Sequence, residues 1–222
     1  MDLYDVMRTT FAARDFLDED VPDGVIRRIL DNARFAPSGG NRQGWKVIVV
    51  RDAATREALI PLMRPTMQRY FAQVQAGESP LNSVHKTRLS DARIAAVDVP
   101  DAAIRRLTHA PVLLFVFVDL AVVAAMDQDL ERVGVISGAS IYPFVWNVLL
   151  AARNEGYGGT LTTFVSAREP ALQRLLGVPE QMACAAMIPM GRPVRQLTRL
   201  SRRPVDDFAV LERWAGPPLP QA

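Results

Sequence analysis

The chain of 222 residues holds one cysteine, Cys184, which excludes a disulfide framework. Its two histidines, His85 and His109, leave too few ligands for a zinc site of His and Cys. Lysine is nearly absent too, with only Lys46 and Lys86 in an arginine-rich chain. The 26 basic and 24 acidic residues leave a formal charge of +2, too small to mark a nucleic-acid binder. The longest apolar run, Ala110–Val118, is too short to cross a bilayer and reads as a strand buried on both faces. Met1–Asp5 shows no basic stretch leading into an apolar one, so no signal peptide is expected. The reading is a soluble protein of the reducing cytoplasm that binds neither membrane nor nucleic acid.

What the chain does have is alternation of helical and extended patterns. Val25, Ile26, Ile29, Leu30 and Ala33 recur at helical spacing between Val21 and Ala36, and Pro37 ends the run. Trp45–Val50 reads as a strand, and Asp52 as the cap of a helix through Ala53–Leu59. From Pro61 to Thr108 prolines interrupt the pattern, which predicts helical pieces joined by mobile loops, a lid over a site. A strand at 112–118 precedes a strong helix from about Ser137 to Glu155, with Pro143 in its first turns or at a kink. Thr160–Phe164 is expected to be extended. Ser166 and Glu169 fit a capping box before a helix at Pro170–Leu176, and Ala183–Met190 reads as the last strand. The pattern predicts one α/β or α+β domain with a mixed sheet and a proline-rich arm at about 199–222.

Three segments offer chemistry. In Ala36–Trp45, Gly39 and Gly40 let backbone N–H groups approach a ligand, while Asn41 and Gln43 suit the edge of a heterocycle. An ordinary loop fits the same residues. Arg8 and Arg14, with Thr9 and Thr10, suit a phosphate or carbonyl, as do Arg199, Arg202 and Arg203; solvated surface arginines are the alternative. Gly156–Thr163 has the small side chains that could line a flat ligand. Neither a dinucleotide fingerprint, a nucleotide P-loop nor a nucleophile elbow is present. Cys184 reads as a buried strand residue and His109 as structural.

Together these segments resemble the FMN-dependent nitroreductase family. The resemblance rests on Arg8-Thr9-Thr10 with Arg14-Asp15-Phe16, on Ala36-Pro37-Ser38-Gly39-Gly40-Asn41-Arg42-Gln43-Gly44-Trp45, and on Asn147–Ala152 followed by Gly156-Tyr157-Gly158. Leu176–Pro179, Ile188–Gly191 and Arg202–Val205 follow in order. The resemblance implies an α+β fold, a mainly antiparallel sheet flanked by helices and completed by homodimerisation. It implies FMN at the subunit interface and hydride transfer from NADH or NADPH to nitroaromatics, quinones or similar small acceptors. By position, Arg14 would meet the pyrimidine edge of the flavin; Pro37, Ser38, Gly39, Asn41 and Ser140 would border the ring and ribityl chain. Thr162 and Thr163 would offer a backbone N–H to flavin N5, and Arg8, Thr10, Arg202 and Arg203 would lie toward the phosphate.

Phe11 stands where related sequences commonly carry arginine, Ala12 where many carry serine, and Trp146 where glutamine is usual. These departures support a second reading, a flavin-binding protein without turnover.

Overall fold

A computed structural model describes residues 1–220. Strands β1 (Trp45–Val50), β2 (Val112–Asp119), β3 (Gly158–Gly159) and β4 (Met182–Gly191) form one sheet in the order β1-β2-β4-β3. Every neighbouring pair is antiparallel. The helices are α1 (Leu3–Thr9), α2 (Asp23–Ala33), α3 (Ala53–Gln75), α4 (Asp91–Ala95), α5 (Asp101–Thr108), α6 (Tyr142–Asn154) and α7 (Glu169–Leu176). None is long and apolar enough, among the described residues, to cross a membrane.

Strand β2 dictates the layering, because alternate side chains of a strand point to opposite faces. Val112, Leu114, Val116 and Val118 enter one core, against Ile26 and Ile29 of α2 and Val145 and Val148 of α6. Leu113, Phe115 and Phe117 enter a second, against Leu59, Met63 and Met67 of α3, Ile104 of α5 and Leu172 of α7. Trp45 stacks on Phe144 at 4.8 Å, fixing the start of β1 against α6.

Between Val116 and Phe117 the pairing of β2 with β4 slips. Val116 faces Ala186 but Phe117 faces Cys184, so Ala185 is an extra residue in β4. Ala185 and Ala186 therefore share the first core, whereas Cys184 and Met187 face the second.

Several elements depart from the expected ones. Helix α3 does not stop at Leu59; capped by Asp52, it runs to Gln75 through Pro61 and Pro65. An interior proline costs about 3 kcal/mol, but each fully buried Leu, Ile or Met contributes about 2 kcal/mol. Leu59, Ile60, Met63 and Met67 supply that burial. The helix expected from Ser137 begins only at Tyr142. A 3-10 turn over Ile136–Ser140 precedes it, broken at Ile141, and Pro143 sits in the first turn of α6. The strand expected at Thr160–Phe164 is displaced to β3, leaving one bridge from Thr162 to Met187. The capping box does not form. Instead Ser166 Oγ donates to the Cys184 carbonyl at 3.0 Å, and Glu169 Oε2 accepts the Cys184 N–H at 2.5 Å. These side chains take the place of a neighbouring strand at Cys184.

Candidate functional site

The site begins with two glycines. A Cβ on Gly158 would lie 2.9 Å from Pro193 Cγ, and one on Gly159 would lie 2.8 Å from the Pro189 carbonyl oxygen. Glycine alone lets the segment after α1 lie against β3, where Ala13 N donates to Gly159 O at 3.1 Å. The segment following β4 grips the same stretch: Leu17 N donates to Arg192 O at 2.8 Å and Val194 N to Asp15 O at 3.1 Å. Gln196 Nε2 donates to Thr9 O at 3.0 Å.

Two basic cavities open along this contact, each about 440 Å³. The first is lined by Phe11, Arg14, Asp15, Arg106 and Arg195, among others. Arg106 takes both carboxylate oxygens of Asp15, at 2.6 and 2.5 Å. These hydrogen bonds hold the Asp15 carboxyl below its usual range. Arg14, one residue away, donates only to the Ala12 carbonyl, at 3.2 Å.

Met7, Arg8, Thr198, Arg199, Leu200 and Arg202 line the second cavity. Three arginines line one space to which, among the described residues, no acidic residue contributes, an arrangement that favours an anion. Arg203 does not line it.

The Pro37–Gln43 loop forms a separate group, included in neither cavity. Gly39 N donates to Ser140 Oγ at 3.1 Å, and Ser38 Oγ accepts from Gln43 N at 2.9 Å. Gly40, Asn41 and Gln43 all have positive φ, at 59°, 53° and 51°. For Asn41 and Gln43 that conformation is strained, and Gln43 Nε2 braces it by donating to Asn41 Oδ1 at 3.1 Å.

The expected threonines differ in what they have free. Thr10 is buried, and its hydroxyl donates to Val6 O at 2.7 Å. The Thr162 N–H donates to Met187 O at 2.9 Å, so it is already engaged, whereas its buried Oγ1 has no partner among the described residues. Burial pushes the Cys184 thiol up to about 11, which keeps it neutral and inert. His109 Nε2 lies 2.9 Å from Glu57 Oε1, a structural contact.

The structure thus places Ser38 and Gly39 against Ser140, and Arg8 with Arg202. Arg14 stands apart from both groups. Sequence reasoning overlooked Arg195 and Arg106, and it grouped Arg199 with Arg202 and Arg203 without carrying it to the flavin site. Arg195 and Arg106 lie on an irregular segment and a helix with no local signal to separate them from surface arginines.

The nitroreductase family profile matches residues 7–192. A protein named NADH dehydrogenase from Thermus thermophilus is 28% identical over 196 residues, 87% of each chain. The nitrobenzene nitroreductase of Ectopseudomonas oleovorans is 28% identical over 192 residues, 82% of this chain and 83% of that one. The solved structure of an oxidized iodotyrosine deiodinase bound to FMN and 3-iodo-L-tyrosine superposes with a TM-score of 0.66 and 21% identity. It covers 96% of this chain and 98% of the other. By the extent of the profile match and the shared nitroreductase-like fold, the chain belongs to the nitroreductase family.

Proposed function

We propose that this chain is an FMN-dependent oxidoreductase that passes a hydride from NADH or NADPH to a small acceptor such as a nitroaromatic or a quinone. The observation that carries the reading is the cavity where Arg8, Arg199 and Arg202 converge without a carboxylate, which suits a phosphate monoester. The unpartnered Thr162 hydroxyl supports it, as a buried polar atom that a ligand would satisfy.

Bound FMN supplies the electron chemistry, accepting two electrons from the nicotinamide and releasing them to the acceptor. The chain's residues bind and tune. Arg14 brings a cation to the pyrimidine edge, where it favours the anionic reduced ring. Pro37, Ser38, Gly39, Asn41 and Ser140 border the ring and ribityl chain. Because the Thr162 N–H is engaged by Met187, the N–H offered to flavin N5 would be that of Thr163. Arg8, Arg199 and Arg202 would hold the phosphate, with Arg203 next to them in the chain but outside the cavity; Thr10 would shape that end by packing.

A second copy of the chain completes the site. Leu3, Tyr4 and Met7 of α1, with Tyr142 and Trp146 of α6, are exposed apolar side chains that a homodimer would cover. Within the expected lid at 61–108, α3 is buried as far as Gln73 and α5 packs into the second core, so a cover would be left to the segment between them.

The test is one spectrum. Purified protein should carry or take up FMN, bleach anaerobically with NADH or NADPH, and recover on adding nitrobenzene or a quinone. A colourless protein that takes up no FMN overturns the reading. Flavin that is held but never reduced favours the second reading, binding without turnover, for which Phe11 and Trp146 are the motive.

A further inference from the structure

The segment between β2 and α6 contains a carboxylate used unevenly. Asp127 is 5% exposed. Its Oδ2 accepts from Arg132 Nη1 at 2.7 Å, from Val135 N at 2.8 Å and from Ile136 N at 3.4 Å. Its Oδ1 is buried with no hydrogen-bond partner among the described residues. The Val135 N–H, then the Arg132 guanidinium, hold the carboxyl below its usual range, so it is charged at neutral pH. A charged group is a stronger acceptor than a neutral one, and here its hydrogen bonds go to one place.

That place is the entry to the 3-10 turn Ile136–Ser140. From Val135 the bonds continue: Gly138 N donates to Val135 O at 3.2 Å and Ile141 N to Gly138 O at 3.1 Å. Ser140 lies inside this chain of bonds, and its hydroxyl accepts from Gly39 N at 3.1 Å. The turn has no side-chain cap of its own, and Ile141 breaks it from α6. Asp127 is thus the side chain that ties the start of the turn to the preceding loop.

We propose that Asp127 is a positioning residue: by fixing Val135 and Ile136 it sets the Ser140 hydroxyl against Gly39, and so holds the strained Ser38–Gln43 loop in place. Its consequence for flavin binding rests on the reading above; its effect on the loop does not.

The experiment is amide hydrogen exchange on the ligand-free chain. In the wild type, the Val135, Ile136 and Gly39 amides should open as one unit, with protection within about threefold of one another. Independent opening of Gly39 overturns the proposal without any variant having to fold. In Asp127→Ala the Gly39 amide should exchange at least about fivefold faster, the factor one lost hydrogen bond gives, while the Phe115 amide in β2 stays within about twofold. Unchanged Gly39 exchange, or equal acceleration at Phe115, overturns it, since the residue would then be irrelevant or merely stabilising. FMN titration separates the two readings: a wild type that takes up no FMN defeats the flavin assignment and leaves the exchange result standing. If the wild type binds FMN, Asp127→Ala should bind it about fivefold more weakly. Unchanged affinity overturns the link from Asp127 to the site.

Discussion

Arg106 grips Asp15 through two parallel hydrogen bonds, and in doing so removes the carboxylate adjacent in sequence to Arg14. The side chain proposed for the flavin's pyrimidine edge donates its hydrogen bond to a backbone carbonyl instead, while still feeling the Asp15 charge. Neutralising Arg106 should therefore act on a neighbour it does not touch.

Arg106→Gln is expected to release Asp15 toward Arg14 and weaken FMN binding about twofold to fivefold, read by flavin fluorescence. The pair also has a defined pH dependence. Asp15 has a depressed folded pKa, so its stabilising contribution is present above the ordinary aspartate range and lost as pH falls through the folded value. The melting temperatures of wild type and variant should differ at neutral pH and converge in acid. A difference that grows in acid would contradict the assignment.

Arg199→Ala should separate the phosphate from the ring. A charge-assisted hydrogen bond is worth about 1.5–3 kcal/mol, so FMN affinity should fall roughly tenfold to a hundredfold. Riboflavin, which lacks the phosphate, should bind the variant and the wild type alike. Equal losses for both ligands would move the phosphate away from this cavity.

Gly159→Ala would place a methyl 2.8 Å from the Pro189 carbonyl oxygen, where neither backbone can yield cheaply. The expected cost is about 1–3 kcal/mol, or a melting temperature lower by roughly 2–4 °C per kcal/mol. Thermal unfolding measures it directly.

Cys184 should resist thiol reagents in the folded chain at neutral pH and react on unfolding. Burial pushes its thiol up to about 11. A raised folded pKa means its contribution to stability is complete below the unfolded value and is lost as pH rises toward the folded one. Rapid labelling of the native chain would show the strand to be open.

Much of the fold could be read from local chemistry. Val47–Val50 and Val112–Val118 carry unbroken apolar runs rich in β-branched residues, and Gly177 stops α7 in the left-handed conformation its position demands. Helix α3 could not be read so, because two prolines speak locally against what Leu59 and Met63 gain only from tertiary burial. Ser166 and Glu169 have the spacing of a cap, yet their bonds go to Cys184, a partner that exists only once β4 is in place. At the site, the Ser38–Gln43 loop announces itself through its glycines. The arginine cavity does not, because Gln196 anchors its far wall to Thr9, 187 positions earlier in the chain. Asp127 carried no signal at all: a lone aspartate in a loop looks solvated until its burial is seen.

The additional residue Ala185 in β4 has a consequence for how the strand can change. On its C-terminal side, Ala186, Ile188 and Met190 face the first core; on its N-terminal side that role passes to Ala183 and Ala185. Deleting Ala185 would restore plain alternation with the faces unchanged, because Ala186 would follow Cys184 directly. Met182 and Cys184 would keep the second core and Ala183 the first, and Cys184 would stay beside Ser166 and Glu169. The strand therefore works as two reading frames joined at one alanine. Substitutions within either frame are matters of volume, and loss of the joint residue would merge the two frames without inverting either half of the strand.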